Sequence, residues 1–342
     1  MKKLIVAIAA LALMAGSAYA ADWEFYGEAS IYTGWSDIDL VDQDEGDSSY
    51  YDVQYDEYLY TNAKIGANVK VSDELSGRFE YGTSRGVANI RHLYGVWDFG
   101  SGTLLVGQSY TPLNVAYSSQ IFDNDLGLEG YGDLYNGRNP ELMLTFGGFS
   151  IAFINPETDA NTLVSYDTQA VIPMIAMCYK ADFEMGEVQV AGGYNTFEIN
   201  NDEDIDAYAI GLGTQMNFGA LGVFATVVWG QNMGNLGATD EGGFAGLALY
   251  DGADVLDCES MGATIGVTFA VSEMLTLEGG YGYIHNEFDD IDATSMAQTY
   301  YLQAAITLAP GVTVTPELGM IDKRETGEEE TMYFGAAWAI AF

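Results

Sequence analysis

In the stretch TMYFGAAWAIAF, residues 331–342, every second position is large or apolar (Met332, Phe334, Ala336, Trp338, Ile340, Phe342), and the positions between are small or polar. A period of two places the two sets on opposite faces of a strand, one of them apolar. The same alternation returns along the chain in segments of about ten residues. It predicts strands near 23–35, 56–71, 77–85, 89–99, 103–110, 139–147, 149–155 and 170–182. Further strands follow near 187–198, 204–218, 221–232, 259–271, 275–286, 296–309, 311–321 and 331–342. Sixteen strands result, an even number, and the Tyr- and Gly-rich composition with few helix caps argues against helices. Pro173 and Pro316 fall inside predicted strands, where a residue without an N–H implies a bulge or a loop-proximal end.

The connections are short and long in turn. Tight turns are predicted at Ser72 to Ser76, Gly100 to Gly102, Gly147, Glu184 to Gly186, Gly219 with Ala220, Ser272 to Met274, and Pro310. Long acidic loops occupy 36–55, 111–138, 156–170, 233–258, 287–295 and 322–330, with shorter ones near 86–88 and 199–203. Short turns on one rim and long loops on the other are the pattern of an outer-membrane barrel. In a bilayer every backbone polar group needs an internal partner, so a strand-built spanning protein closes on itself and its last strand pairs with its first. The sequence therefore predicts an all-β, sixteen-stranded antiparallel transmembrane β-barrel.

The ends and the charge refine this. MKKLIVAIAALALMAGSAYA has two lysines, an apolar run from Leu4 to Met14 and Ala18-Tyr19-Ala20, which reads as a secretory signal peptide over 1–20 and leaves 21–342 as the barrel. Without Lys2 and Lys3 there are nine basic residues against fifty acidic ones, a formal charge of 9 − 50 = −41. That sign excludes nucleic acid as a partner. A hydrophobic content of 49 % argues against disorder despite the charge. Cys178 and Cys258 are too few for a disulfide framework and fall on distant predicted strands.

With the strands placed, LYTNAKIGANVKVSDELSGRFEYG (Leu59 to Gly82) and IRHLYGVWDFGSGTLLVGQSYTPL (Ile90 to Leu113) resemble the general bacterial outer-membrane porins. The resemblance in sequence is concentrated in 23–142; strand number, the order of turns and loops and the terminal Phe342 agree along the rest. It implies an integral outer-membrane protein, a homotrimer among lipid and lipopolysaccharide, that passes small hydrophilic solutes by diffusion. It also implies that the third long loop folds inward and narrows the pore, with carboxylates facing basic side chains on the wall. Here that loop is Leu113 to Arg138, and Asp123, Asp125, Glu129 and Asp133 are its candidate carboxylates.

Five basic residues (Lys64, Lys70, Arg78, Arg85, Arg91) fall between 64 and 91. A mid-strand cation facing lipid costs about 2–4 kcal/mol, so Lys64, Arg78, Arg91 and, after the loop, Arg138 are predicted on the wet wall, whereas Lys70 and Arg85 are predicted as rim anchors. Two positions depart from the porin pattern: Gln108 stands where relatives carry Arg, and Glu28 where many carry a basic residue. Fewer wall cations in an acidic chain predict a preference for cations. The rival readings are a substrate-selective porin and a non-conducting structural barrel whose acidic loops bind Ca or Mg weakly; the acidic runs match no calcium-loop pattern, and no cofactor is expected. His92 and His285 form no recognisable catalytic dyad in sequence, so no enzyme activity is expected.

Overall fold

The computed structural model describes residues 21–40, 51–162, 164–200, 203–288, 291, 293–324 and 329–342. The segment read as a signal peptide lies outside the described residues. Sixteen spanning strands form one closed antiparallel sheet. They are β1 (Asp22–Leu40), β2 (Tyr51–Leu59 and Lys64–Lys70), β3 (Leu75–Ser84), β4 (Val87–Asp98), β5 (Thr103–Tyr110), β6 (Arg138–Phe146), β7 (Phe149–Ile154) and β8 (Thr168–Gln169 and Met174–Phe183). The series continues with β9 (Gly186–Ile199), β10 (Glu203–Phe218), β11 (Leu221–Gln231), β12 (Glu259–Ser272), β13 (Leu275–Phe288), β14 (Ala293–Ala309), β15 (Val312–Arg324) and β16 (Glu329–Ala341).

Each strand pairs with its sequence neighbours, and β16 pairs with β1 from Glu28↔Ala341 to Leu40↔Glu329. Phe342 completes the seam: its N–H donates to the Gly27 carbonyl at 2.9 Å, and Gly27 N–H donates back at 2.8 Å. The ring closes, and among the described residues every spanning strand has a partner on each side, as a membrane requires.

The alternation sorts side chains between two environments. On β12, Met261 and Ile265 are more than half exposed on the outer, apolar face, whereas Ser260 and Thr264 between them are buried on the other. Two strands are interrupted. In β2 a turn at 60–63 is closed by Ala63 N–H to Tyr60 O at 2.9 Å, and β8 breaks over 170–173, where Pro173 lies. Pro316 stays within β15 opposite Ala336 of β16, but the ladder to β14 skips from Glu317 to Val314, because proline offers no N–H there. Cys178 and Cys258 are both buried and free.

Candidate pore lining

Segment 111–138 packs on the polar-face positions of β9–β13, and glycine is what makes room. A Cβ on Gly193 would lie 2.8 Å from Leu113 Cδ1, and one on Gly262 2.5 Å from the Gly132 Cα. Leu134 fills the space left by Gly211, Val115 that left by Gly213, and Tyr131 that left by Gly282. The consequence is a buried apolar cluster of Leu113, Val115, Leu128, Tyr131 and Leu134 against the strands. Glycine in a strand interior weakens the strand, and close approach of another backbone is what compensates.

Beyond this floor the segment is held by carboxylates of the sheet. Glu278 on β13 accepts the Ser119 N–H at 2.9 Å and its hydroxyl at 2.7 Å. Glu317 on β15 accepts the N–H groups of Ile121 (2.8 Å) and Phe122 (3.0 Å). These charge-assisted bonds satisfy main-chain donors that leave regular structure. Gln120 donates to the Tyr333 hydroxyl at 2.8 Å, and the Phe122 ring stacks on Tyr333 at 3.7 Å.

The tip is Asp123-Asn124-Asp125, three successive non-glycine residues with φ of 46°, 66° and 79°. Such backbone persists only where contacts over-determine it, and here β2 and β3 supply them. Tyr58 OH accepts from Asn124 N–H (3.0 Å), Ser84 Oγ from Asn124 Nδ2 (3.0 Å), and Asp125 from Tyr60 OH (3.0 Å) and Asn62 Nδ2 (3.1 Å). Asp123 forms an ion pair with Arg85, whose guanidinium sits 4.8 Å over the Tyr58 ring. Arg85, expected at a rim, is thus the cation that meets a loop carboxylate. Its side chain leaves a two-residue connection with φ of 47°, a place where strand alternation says nothing about direction.

Lys64, Arg78, Arg91 and Arg138 take partners on the wall. Lys64 Nζ lies 3.8 Å from the Glu28 carboxylate. Arg78 donates to Tyr26 OH at 2.8 Å and to Glu80 Oε2 at 2.5 Å. Arg91, at a bulge between β3 and β4, donates to Glu80 Oε1 at 2.6 Å and to the Thr61 carbonyl at 2.9 Å. Arg138 stacks 4.2 Å over the Tyr110 ring and donates to its hydroxyl, and Gln108 Nε2 donates to the Ile90 carbonyl at 2.6 Å. Glu80, Glu278 and Glu317 do most of this organising, and none of them stands out in sequence beyond being a carboxylate at mid-strand. A carboxylate on the wet side of a strand is the signal available for all three.

The four candidate loop carboxylates are not equivalent. Asp123 is exposed, and Asp125 has its carboxyl raised by burial, opposed by the Tyr60 and Asn62 hydrogen bonds. Burial pushes Glu129 up to about 9, with the Asp133 and Asp125 charges adding to the shift. Asp133 is buried within the loop, where it accepts the Gly130 N–H at 3.0 Å, and burial pushes it up to about 8. Glu129 and Asp133 therefore hold their protons at neutral pH. A cavity of about 240 Å³ touches Glu28, Ser30, Asn62, Asp125, Gln303 and Thr315, and Ile121, Ala305, Ala337 and Ala339 beside them, a lining that mixes carboxylates, hydroxyls and amides with apolar side chains. Among the described residues no cluster of His, Cys, Asp and Glu is arranged to hold a metal ion. His92 Nδ1 lies 3.4 Å from Ser109 Oγ, and His285 lies 3.8 Å from Glu287.

The family model for Gram-negative porins matches residues 7–326. No curated sequence matches the chain. Among solved structures, the outer-membrane channel DcaP of Acinetobacter baumannii superposes with a TM-score of 0.75 at 16 % identity, over 95 % of this chain and 99 % of that one. The trimer form of OmpT of Vibrio cholerae gives 0.60 at 15 %, over 94 % and 100 %. OmpF of Salmonella typhi, in complex with daunomycin, gives 0.62 at 14 %, over 94 % and 97 %. At these identities the likeness is one of fold. A family match over nearly the whole length, on a closed sixteen-stranded barrel with an apolar outer face, identifies an integral outer-membrane protein, and the chain belongs to the Gram-negative porin family.

Proposed function

We propose that this porin is a passive diffusion channel for small hydrophilic solutes that prefers cations, with segment 111–138 folded inside the barrel as its constriction. The contacts of that segment with polar-face residues of β9–β16 and its tip on β2 and β3 support the inward course. The observation that supports the cation preference is the excess of fifty acidic residues over eleven basic ones. On the wall, Lys64 is matched by Glu28, and Glu80 offsets one of the two charges of Arg78 and Arg91. Ammonium groups and metal cations meet the carboxylates of Asp125 and Glu28 at the cavity they line.

The proposal extends to removal of residues 1–20 on export and to a homotrimer in the outer membrane, in contact with lipid and lipopolysaccharide. Purified protein in a planar bilayer under a KCl gradient tests the central reading. Large ohmic steps with a reversal potential on the potassium side are expected. A preference for chloride overturns the selectivity, and the absence of steps favours the structural, divalent-binding barrel.

A further inference from the structure

A second loop, 233–258, is built into the constriction loop rather than lying over the surface. Its Met233, Leu236 and Ala238 are buried in the same apolar cluster as Leu113, Leu128 and Leu134. Three hydrogen bonds join the two loops: Thr239 N–H to Tyr135 O at 2.9 Å, Glu241 N–H to Gly130 O at 3.0 Å, and Asn136 Nδ2 to Leu236 O at 2.5 Å. Two of these are main chain to main chain, so they do not depend on the orientation of a mobile side chain.

The far end of the same loop is anchored on the opposite flank of the floor. Asn286 on β13 donates to Asp240 at 3.0 Å, Lys323 on β15 binds Glu241 at 2.6 Å, and the Phe244 ring meets Phe288 edge-on at 4.8 Å. Behind it, Asn195 Nδ2 on β9 donates to the carbonyls of Glu157 and Asn235, each at 2.7 Å, which ties in segment 155–162. These anchors fall on β9–β15. The cavity of about 240 Å³ lies between β1 and β14–β16, against Glu28, Gln303, Thr315 and Ala337, and a second of about 560 Å³ touches Asp22, Glu24, Lys70, Arg78 and Tyr94 on β1–β4.

We propose that residues 233–247 are a size-determining segment of the pore: they form a second layer on segment 111–138, close the lumen over β9–β13, and confine solutes to the side of β14–β16 and β1–β6. The inference rests on the reading of the protein as a channel. Two apolar-packed, hydrogen-bonded loops present a fixed edge, so solutes are sorted by cross-section more sharply than by one loop alone.

The test replaces Ala238 to Leu247 by Gly-Ser-Gly in the full chain. Single-channel conductance is compared in planar bilayers, and the uptake of neutral mono-, di- and trisaccharides is followed by swelling of proteoliposomes. Conductance is expected to rise about twofold, with the largest gain in uptake for the trisaccharide. A second variant, Glu241→Ala with Lys323→Ala, keeps the loop length and removes one anchor; it is expected to shift both readouts the same way by less. Unchanged conductance and unchanged sugar exclusion in a variant that still migrates as a heat-resistant barrel overturn the inference. If the replacement does not fold, the double variant decides in the same terms. Wild-type protein that conducts nothing sinks the channel reading instead, so the two failures are distinguishable.

Discussion

Glu80 receives hydrogen bonds from Tyr26 on β1, Arg78 on its own strand and Arg91 on β4, and it is almost wholly buried. Three donors from three strands make it a node of the wall, where it offsets one of the two charges of Arg78 and Arg91. Glu80→Gln keeps the shape and deletes one negative charge, leaving two guanidinium groups with no ionised partner in the cluster. Breaking a buried ion pair from one side costs about 3–5 kcal/mol, so urea unfolding should shift to lower concentration and the reversal potential should move toward chloride. A reversal potential equal to wild type would show that the wall charge does not reach the ions. At this scale the sequence was half legible. Lys64, Arg78 and Arg91 could be placed on polar faces from the cost of a cation in lipid, but their partners could not. Glu80 and Arg91 are eleven positions apart, and a bulge between β3 and β4 is what brings them together. Nothing in alternation fixes a bulge.

Elements were the most legible level, because a lipid-facing strand states its length and phase directly. Strand β5 occupies 103–110 as the alternation predicts, and the other strands lie within a few residues of their predicted places, except that β1 runs on to Leu40 and β2 begins at Tyr51, both inside the predicted loop 36–55. The break in β2 was not foreseen, since 60–63 depart from the ladder while the surrounding pattern continues, whereas Pro173 marked the irregularity at 170–173 in β8. The glycines of β9–β13 were read only as composition. Their role depends on a segment 50 or more residues away in sequence, which packs where their side chains are missing. Gly262→Val tests that role. Its Cβ would meet the Gly132 Cα and the Tyr283 carbonyl, both main chain, so the segment has to lift. Overpacking of this kind costs about 1–3 kcal/mol. Limited proteolysis within 111–138 and larger current noise are expected, whereas Gly95→Val, whose Cβ meets only the Ser76 carbonyl at 3.9 Å, should behave as wild type. Equal protease resistance in both variants would refute the docking role.

For the whole molecule, closure and charge act together: the ring supplies a low-dielectric wall, and fifty acidic residues against eleven basic ones supply the sign of the charge it carries. Selectivity arising from that charge depends on screening and on proton occupancy. The Debye length falls from about 10 Å at 0.1 M salt to about 3 Å at 1 M, so the cation-to-anion permeability ratio should drop several-fold over that range. Proton occupancy acts in the other direction with pH. Glu129 and Asp133 hold protons up to about 9 and about 8, because burial disfavours their charged forms. Raising the pH from 7 to 10 therefore adds two negative charges to segment 111–138, and cation preference should increase. The same linkage lowers stability: both carboxyls bind protons more tightly in the fold than in an unfolded chain, where Asp and Glu titrate near about 4. The stabilisation is complete below that value and is lost progressively as pH rises through about 8 and about 9. Reversal potentials measured at pH 7 and pH 10, each at low and high KCl, separate the two effects. In the double variant Glu129→Gln with Asp133→Asn the salt dependence should survive and the alkaline step should vanish; an alkaline step that persists there would place the titrating charge elsewhere in the barrel.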